Sequence, residues 1–300
     1  MTIKAKIIAD STDQDGVRII TYELEYHRYI HSELMTHRVF SRNSASSRAI
    51  PISTMLDNIK AEPATPIHWG RNQAGMQAKE ELYGDNKLEA EAIWKCATED
   101  AIYWSGMLNT VGAHKQIANR ITEAYQHMKV VVTSTEWKNW FWLRDHPDAQ
   151  PEIMELARLM REAKNTSTSE VLKSGEWHVP YVDTFMEPDG TRKYQDDLGN
   201  VITLQQALMI SASSCAQVSY RKQDGSLEKA EVIFKRLIES EPCHASPIEH
   251  QARSWSGITY AEDGWQEGYT HRDREGYLWS NNFRGWIQHR ALIPNNVKKG

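Results

Sequence analysis

Between Thr36 and Arg48 the chain runs THRVFSRNSASSR, with three arginines, one histidine, one asparagine and four serines in 13 residues. The block is rich in hydrogen-bond donors and holds no acidic residue. A guanidinium stays charged at any working pH and presents a planar fork of donors, so the block suits a phosphate or an electron-rich ring. The same composition also fits a solvated serine-rich loop. A second candidate is Arg144, which closes Asn139-Trp140-Phe141-Trp142-Leu143-Arg144. A fixed cation there could hold a developing anion, while a surface ion pair with Asp145 or Asp148 is the plainer reading. A third is His244-Ala245-Ser246-Pro247-Ile248-Glu249-His250, downstream of Cys215-Ala216-Gln217-Val218-Ser219-Tyr220. Helical zinc sites set two histidines four apart on one face. These two stand six apart with a proline between them, so no metal is expected.

The first block resembles RHRxxSxNExSxR, the signature of the flavin-dependent thymidylate synthases (the ThyX family). His37, Arg38, Ser41, Asn43, Ser46 and Arg48 fall on motif positions. Thr36 stands where the first arginine belongs, Ser44 where the glutamate belongs, and Ala49 where a tyrosine commonly follows. Asn139 to Arg144, with Ala149-Gln150-Pro151-Glu152-Ile153, is similar to the family's NFxxLRxxxxAQxEI segment, and the third block to its ARVSF and HxTPFEH pair. The resemblance implies that FAD is held by His37, Arg38, Asn139, His244, Ser246 and, more weakly, Ser219. It implies that Ser46 and Arg48 hold the phosphate of dUMP, with Ser44 and Arg120 on the nucleotide side. Glu33 stands where relatives have a nucleotide-contacting glutamine. A carboxylate would repel a phosphate, so Glu33 is expected to face ribose or base. Arg144 would lie against the uracil and stabilise it as N3 ionises.

The activity implied is reductive methylation of dUMP to dTMP, with methylenetetrahydrofolate as carbon donor, NADPH as reductant and FAD as hydride carrier, in a homotetramer. Hydroxymethylation of dUMP, and flavin or nucleotide binding without turnover, are the alternatives. In most relatives the ARVSF and HxTPFEH segments precede RHR, whereas here they follow it. That order resembles a circularly permuted, phage-type branch of the family.

The elements that must position these residues follow from periodicity. Ile20, Tyr22, Leu24 and Tyr26 alternate with polar residues, which predicts a half-buried strand. A helix-like stretch at Ile30–Met35 leads into the polar Ser41–Arg48 segment. Pro51, Pro63, Pro66, Gly70 and Gly75 predict a long loop. Helical spacing recurs over Leu88–Leu108, from about Lys115 into Met128, over Glu152–Lys164 and around Ala230–Ile238. Pro188-Asp189-Gly190 and Asp196–Gly199 predict a polar hairpin, and Trp255–Asn282 irregular surface structure. Trp137, Trp140 and Trp142 suit a core better than a ligand site, and His27 and His31 structural roles.

Composition sets the outer bounds. Of 300 residues 40% are hydrophobic, enough for a core, and 35 basic against 40 acidic residues give a net charge of −5. That excludes a general nucleic-acid binder but not a single phosphate held by a few arginines. The cysteines Cys96, Cys215 and Cys243 form no CxxC pair, which fits a reducing compartment without disulfides. No GxGxxG or GxxxxGK[ST] occurs, so Rossmann and P-loop binding are not supported. The N-terminal residues lack a secretory h-region, and Ile202–Tyr220, although uncharged, carries eight Thr, Gln or Ser residues. A cytoplasmic protein without membrane contact is expected. The predicted fold is α/β (α+β), ThyX-like, permuted and with insertions, as one elaborated domain over 1–300. Its family-like core covers about 20–50, 112–164 and 211–252, with insertions at about 51–87, 165–205 and 255–290.

Overall fold

The computed structural model describes residues 3–219, 223–255 and 267–298. It is a mixed helix and sheet structure built on five strands: β1 (Lys4–Thr12), β2 (Arg18–His27), β3 (Ser41–Ser44), β4 (His127–Ser134) and β5 (Glu170–Val171). They pair in the order β3-β4-β2-β1-β5, antiparallel except for β1 with β5. β2 is the strand expected from its alternation, and Tyr22, Leu24 and Tyr26 are wholly buried. The helix-like stretch before the donor block is α1 (His31–Leu34), after a 3-10 turn at Arg28–Ile30.

Two expectations change around this sheet. The serine-rich segment is no solvated loop: Ser41–Ser44 is edge strand β3, in register with Val130–Thr133 of β4. The helix expected from Lys115 into Met128 ends early. α4 covers only Lys115–Ala118, a 3-10 segment follows at Asn119–Tyr125, and β4 begins at His127. Val130, Val131 and Val132 are all fully buried. A strand covered on both faces shows no alternation, and three β-branched residues in a row favour extended backbone. The proline-marked loop likewise contains a helix, α2 (Ile52–Ala61), started by Pro51. The 26-residue α3 (Asp85–Thr110) then packs on α2 through Ile102 and Leu108.

One face of the sheet is closed by α5 (Lys138–Arg144) and α6 (Pro151–Thr166). Gln150 caps α6 by accepting from the Ile153 N–H at 3.2 Å, and Pro151 opens its first turn. Ile153, Leu156, Ala157 and Met160 are fully buried against β2 and β4 with Trp137 and Trp140. Truncating Leu156 or Met160 to alanine would cost about 2–5 kcal/mol.

The other face carries β6 (Trp177–His178), the hairpin strands β7 (Asp183–Met186), β8 (Arg192–Gln195) and β9 (Val201–Ile202), α7 (Leu204–Ala216) and α8 (Leu227–Glu239). The Thr203–Gln206 capping box starts α7, a buried helix among uncharged residues. No helix among the described residues is long and apolar enough to cross a membrane.

The described part of the expected irregular segment, 267–282, lies mostly at the surface but holds two short strands, β11 (His271–Arg272) and β12 (Leu278–Ser280). β10 (Ala252–Ser254), β13 (Phe283–Arg284) and β14 (Trp286–Gln288) flank it. Phe283, Trp286 and Ile287 are fully buried, and β10 joins β14 to β6. Residues 256–266 of the expected surface segment lie outside the described residues, as does Tyr220.

Candidate active site

Arg42 and Asn43 are neighbours on the edge strand β3, so their side chains leave opposite faces of the sheet. Each gathers a different set of residues. On the α5 side, the Arg42 Nη1 donates to the carbonyls of Leu34 (3.5 Å), Met35 (3.0 Å) and His37 (3.2 Å). The carbonyls closing a helix have no partner within it, so Arg42 fixes the turn that carries Thr36 and His37.

Arg144 closes α5 and reaches into this turn. Its Nε donates to His37 Nε2 (3.1 Å), Nη1 to Glu33 Oε2 (2.9 Å) and Nη2 to Thr36 Oγ1 (3.2 Å). A guanidinium has five N–H donors. Three are spent here, and among the described residues one on each Nη remains for a ligand. The plainer expectation, an ion pair with Asp145 or Asp148, is not what forms. Asp145 pairs with Arg161 at 2.7 Å, and Asp148 lies beside His146 and Lys79.

An arginine Nε can only donate, so His37 Nε2 accepts and the ring proton sits on Nδ1. Burial, then the cations of Arg144 and Arg42, lower the His37 pKa to about 4. The ring is therefore neutral near pH 7, set edge-on to Trp140 at 4.7 Å and stacked with Phe40 at 5.6 Å. Trp137 and Trp140 are core, as expected, but Trp142 is 72% exposed.

On the other side of β3, Asn43 Nδ2 donates to the Cys215 carbonyl, and Ser246 Oγ donates to Asn43 Oδ1 at 3.2 Å. The Ser46 N–H donates to Ser219 Oγ at 2.8 Å. Segments around residues 43, 215–219 and 246 thus meet, although they lie far apart in sequence. Ser44 is half-buried in the strand. Ser41 Oγ contacts Asn282 and Gln288, whose Nε2 donates to it at 3.0 Å. The C-terminal segment is therefore a wall of this region.

Four predicted residues present exposed side chains without partners among the described residues: Arg38, Arg48, Asn139 and His244. Arg120 is 62% exposed and paired with Glu123 at 3.4 Å, apart from the others. Its neighbour Asn119 is buried and donates to the carbonyls of Ser47 (2.8 Å) and Ile50 (3.1 Å), pinning the loop that bears Arg48. Sequence reasoning gave no role to Asn119 or Arg42. Arg42 lay inside the donor block, and only the chain's return over α1 reveals its acceptors. Among the described residues no group of three or more His, Cys, Asp or Glu side chains could hold a metal ion.

No protein-family model matches the chain, and no curated protein matches it. Among solved structures, it is similar to the UMP/dUMP methylase PolB from Streptomyces cacaoi bound with 5-Br UMP, at 16% identity over 54% of this chain and 89% of that one, with a TM-score of 0.46. The same methylase bound with 5-Br dUMP gives 14% identity over 54% and 90%, with a TM-score of 0.43. The flavin-dependent thymidylate synthase ThyX from Helicobacter pylori, complexed with FAD and dUMP, gives 21% identity over 49% and 67%, with a TM-score of 0.34.

Proposed function

We propose that the chain is a ThyX-like, FAD-dependent enzyme that methylates dUMP to dTMP, drawing carbon from methylenetetrahydrofolate and reducing power from NADPH. One observation carries the reading. Arg144 is held by Glu33, Thr36 and His37 with two donors unspent, and β3 joins that cluster to the Asn43–Ser246 and Ser46–Ser219 contacts. The segments that separately resemble the family's motifs are thus joined at one strand. The order of those segments is read as a circular permutation of the phage-type branch, with the insertions placed as the sequence suggests.

The residues present fit a flavin. Arg38 and Asn139 offer unspent donors at the surface, beside the neutral His37 on one side and the α5 helix on the other. His244 is likewise unspent, while Ser246 and Ser219 are already engaged with Asn43 and Ser46. FAD, when bound, supplies hydride transfer, and this chain's task is to place the pyrimidine beside it. Arg48 and Ser46 hold the 5′-phosphate, with Ser44 and Arg120 on the nucleotide side. Arg144 directs its remaining N–H groups at the uracil, where its charge is worth more as the base becomes anionic. Glu33 orients the guanidinium and stays away from the phosphate.

Assembly as a homotetramer, in a reducing cytoplasm, completes the proposal. Supporting it, α3 exposes Leu88, Ile93, Tyr103, Met107 and Trp104, the last at 58%. An apolar patch of this kind on a charged protein marks an interface. Trp104→Glu should lower the mass measured by light scattering, and an unchanged mass would separate α3 from any interface.

The activity is tested by the product. Incubation with dUMP, methylenetetrahydrofolate and NADPH should give dTMP by mass, from a protein that shows a flavin spectrum. A hydroxymethyl product formed without NADPH would replace methylation with hydroxymethylation. A colourless protein that refuses added FAD would overturn the reading.

A further inference from the structure

Ser41 and Asn43 stand two apart on β3, so their side chains leave the same face of the strand. Asn43 accepts from Ser246, which opens the 3-10 turn Ser246–Glu249. At the far end of that turn the link to Ser41 runs through Gln288 of β14. Its Nε2 lies 3.0 Å from Ser41 Oγ, 2.9 Å from Asn282 Oδ1 and 3.3 Å from the Glu249 carbonyl, so two N–H groups serve three acceptors. Its Oε1 accepts from Asn281 Nδ2 at 2.7 Å, and the whole residue is buried. Asn282 works alongside it, its Nδ2 donating to the Val39 carbonyl (3.1 Å) and to Ser41 Oγ (3.0 Å).

A buried amide is costly unless its donors and its acceptor are met. Once met, its bonds fix distances and directions that an apolar side chain of similar size would leave free. The turn has other anchors: His250 Nδ1 lies 2.8 Å from Thr133 Oγ1, and Arg290 pairs with the Glu249 carboxylate. Neither of those reaches the donor block. Among the described residues the Ser41 hydroxyl is bonded to Gln288 and Asn282 alone. Arg38 immediately precedes Val39, and His244 precedes the turn by two residues, so both exposed side chains hang from the two segments that Gln288 joins. We infer that Gln288 is a positioning residue, which sets the separation of the donor block from the Ser246–Glu249 turn and so the fit of a ligand reached by Arg38 and His244 together. That this ligand is FAD rests on the function proposed above.

The full-length protein is compared as wild type, Gln288→Leu and Ile287→Ala. Ile287 is the neighbouring β14 residue, wholly buried but on the opposite face of the strand, so its truncation costs stability on the far side of β14. Hydrogen–deuterium exchange, read at matched global stability, should rise at least about threefold over residues 37–43 and 244–250 in Gln288→Leu but not in Ile287→Ala. Affinity for FAD should fall roughly tenfold in Gln288→Leu and stay within about twofold of wild type in Ile287→Ala. Should Gln288→Leu fail to fold, Asn282→Ala, which frees Val39 and Ser41 from one side, should weaken FAD by roughly threefold. Equal exchange in Gln288→Leu and Ile287→Ala, or unchanged FAD affinity in a folded Gln288→Leu or Asn282→Ala, would make Gln288 a packing residue and overturn the role. A wild type that binds no FAD would overturn the proposed function instead, and the exchange comparison would then uphold or overturn Gln288 by itself.

Discussion

Two histidine networks flank the same strand pair and have opposite endings. His37 sits at the sheet edge, where its Nε2 takes the Arg144 Nε–H and the guanidinium keeps donors to spare. His178 and His250 lie at the centre of the other face in a closed ladder. It runs from Ser11 to His178 (2.9 Å), Thr21 (2.8 Å), Thr133 (2.7 Å) and His250 (2.8 Å). Both central rings are fully buried, and burial lowers their pKa to about 3, further than that of His37 at about 4. The more perturbed pair nevertheless has little left to offer a ligand: apart from His250 Nε2, its ring nitrogens are spent on hydroxyls. A large pKa shift marks desolvation. Unspent donors next to a fixed cation mark the better candidate for chemistry.

The largest effect that would break this contrast is expected at Arg144. If it stabilises the ionised uracil, its contribution grows along the reaction, and removal lowers the rate constant. Arg144→Ala should cut single-turnover flavin reoxidation with saturating dUMP by ~10²-fold or more, with FAD content unchanged. Normal reoxidation with merely weaker dUMP binding would make Arg144 a positioning residue. Next comes Arg38→Ala, where loss of one charge-assisted hydrogen bond should lower FAD affinity roughly 10- to 100-fold. A folded variant that retains stoichiometric FAD removes Arg38 from the site.

The central ladder should respond in stability alone. Thr133→Val strips a shared hydroxyl from Thr21 and His250 and should cost about 1–3 kcal/mol in denaturant unfolding, with FAD content unaltered. The same burial predicts acid sensitivity. Below the ordinary histidine pKa of 6.5 the unfolded chain takes up protons that His178 and His250 exclude when folded. Their contribution is full above about 6.5 and declines as pH falls towards 3. His178→Gln should remove one proton from that slope, and an unchanged slope would contradict the assignment.

How far the sequence anticipated this differs between elements for physical reasons. α6 was legible because it buries one face, leaving a period of 3.6, and β2 because its second face, although Thr21 is buried there, carries the polar Thr21, Glu23 and Glu25 against Tyr22, Leu24 and Tyr26. β4 was not, since a strand covered on both sides has no polar alternation to read. α3 was legible as a helix, yet its pattern could not show that Trp104 faces outwards, because apolar residues at helical spacing read alike whether they are covered or exposed. Glu33, His37 and Arg144 were each singled out, but their mutual contact depends on Arg42 tying down the α1 turn. In Trp255–Asn282 the Gly, Asp and Glu residues hide two short strands, β11 and β12, because among its described residues only Leu278 and Ser280 are buried and no apolar alternation results.

The smallest expected effect sharpens the contrast most, because it tests whether the orientation of Arg144 matters as well as its presence. Thr36 Oγ1 accepts from Arg144 Nη2 at 3.2 Å and donates to the Glu33 carbonyl at 2.6 Å. Thr36→Val keeps the shape and removes both bonds. Glu33 and His37 still hold Nη1 and Nε, so the guanidinium stays in place but gains freedom about one axis. The bond to the Arg144 guanidinium is charge-assisted but exposed, so water replaces much of it; a net loss of about 0.5–1.5 kcal/mol should lower turnover roughly two- to tenfold. Affinity for dUMP should change less than turnover, since orientation counts most where charge develops. The check is kcat against KM for dUMP, with Thr36→Ser as the conservative control that restores the hydroxyl. A Thr36→Val enzyme with wild-type kcat would show that two anchors are enough. One that loses dUMP affinity without losing rate would place Thr36 on the substrate instead of on Arg144.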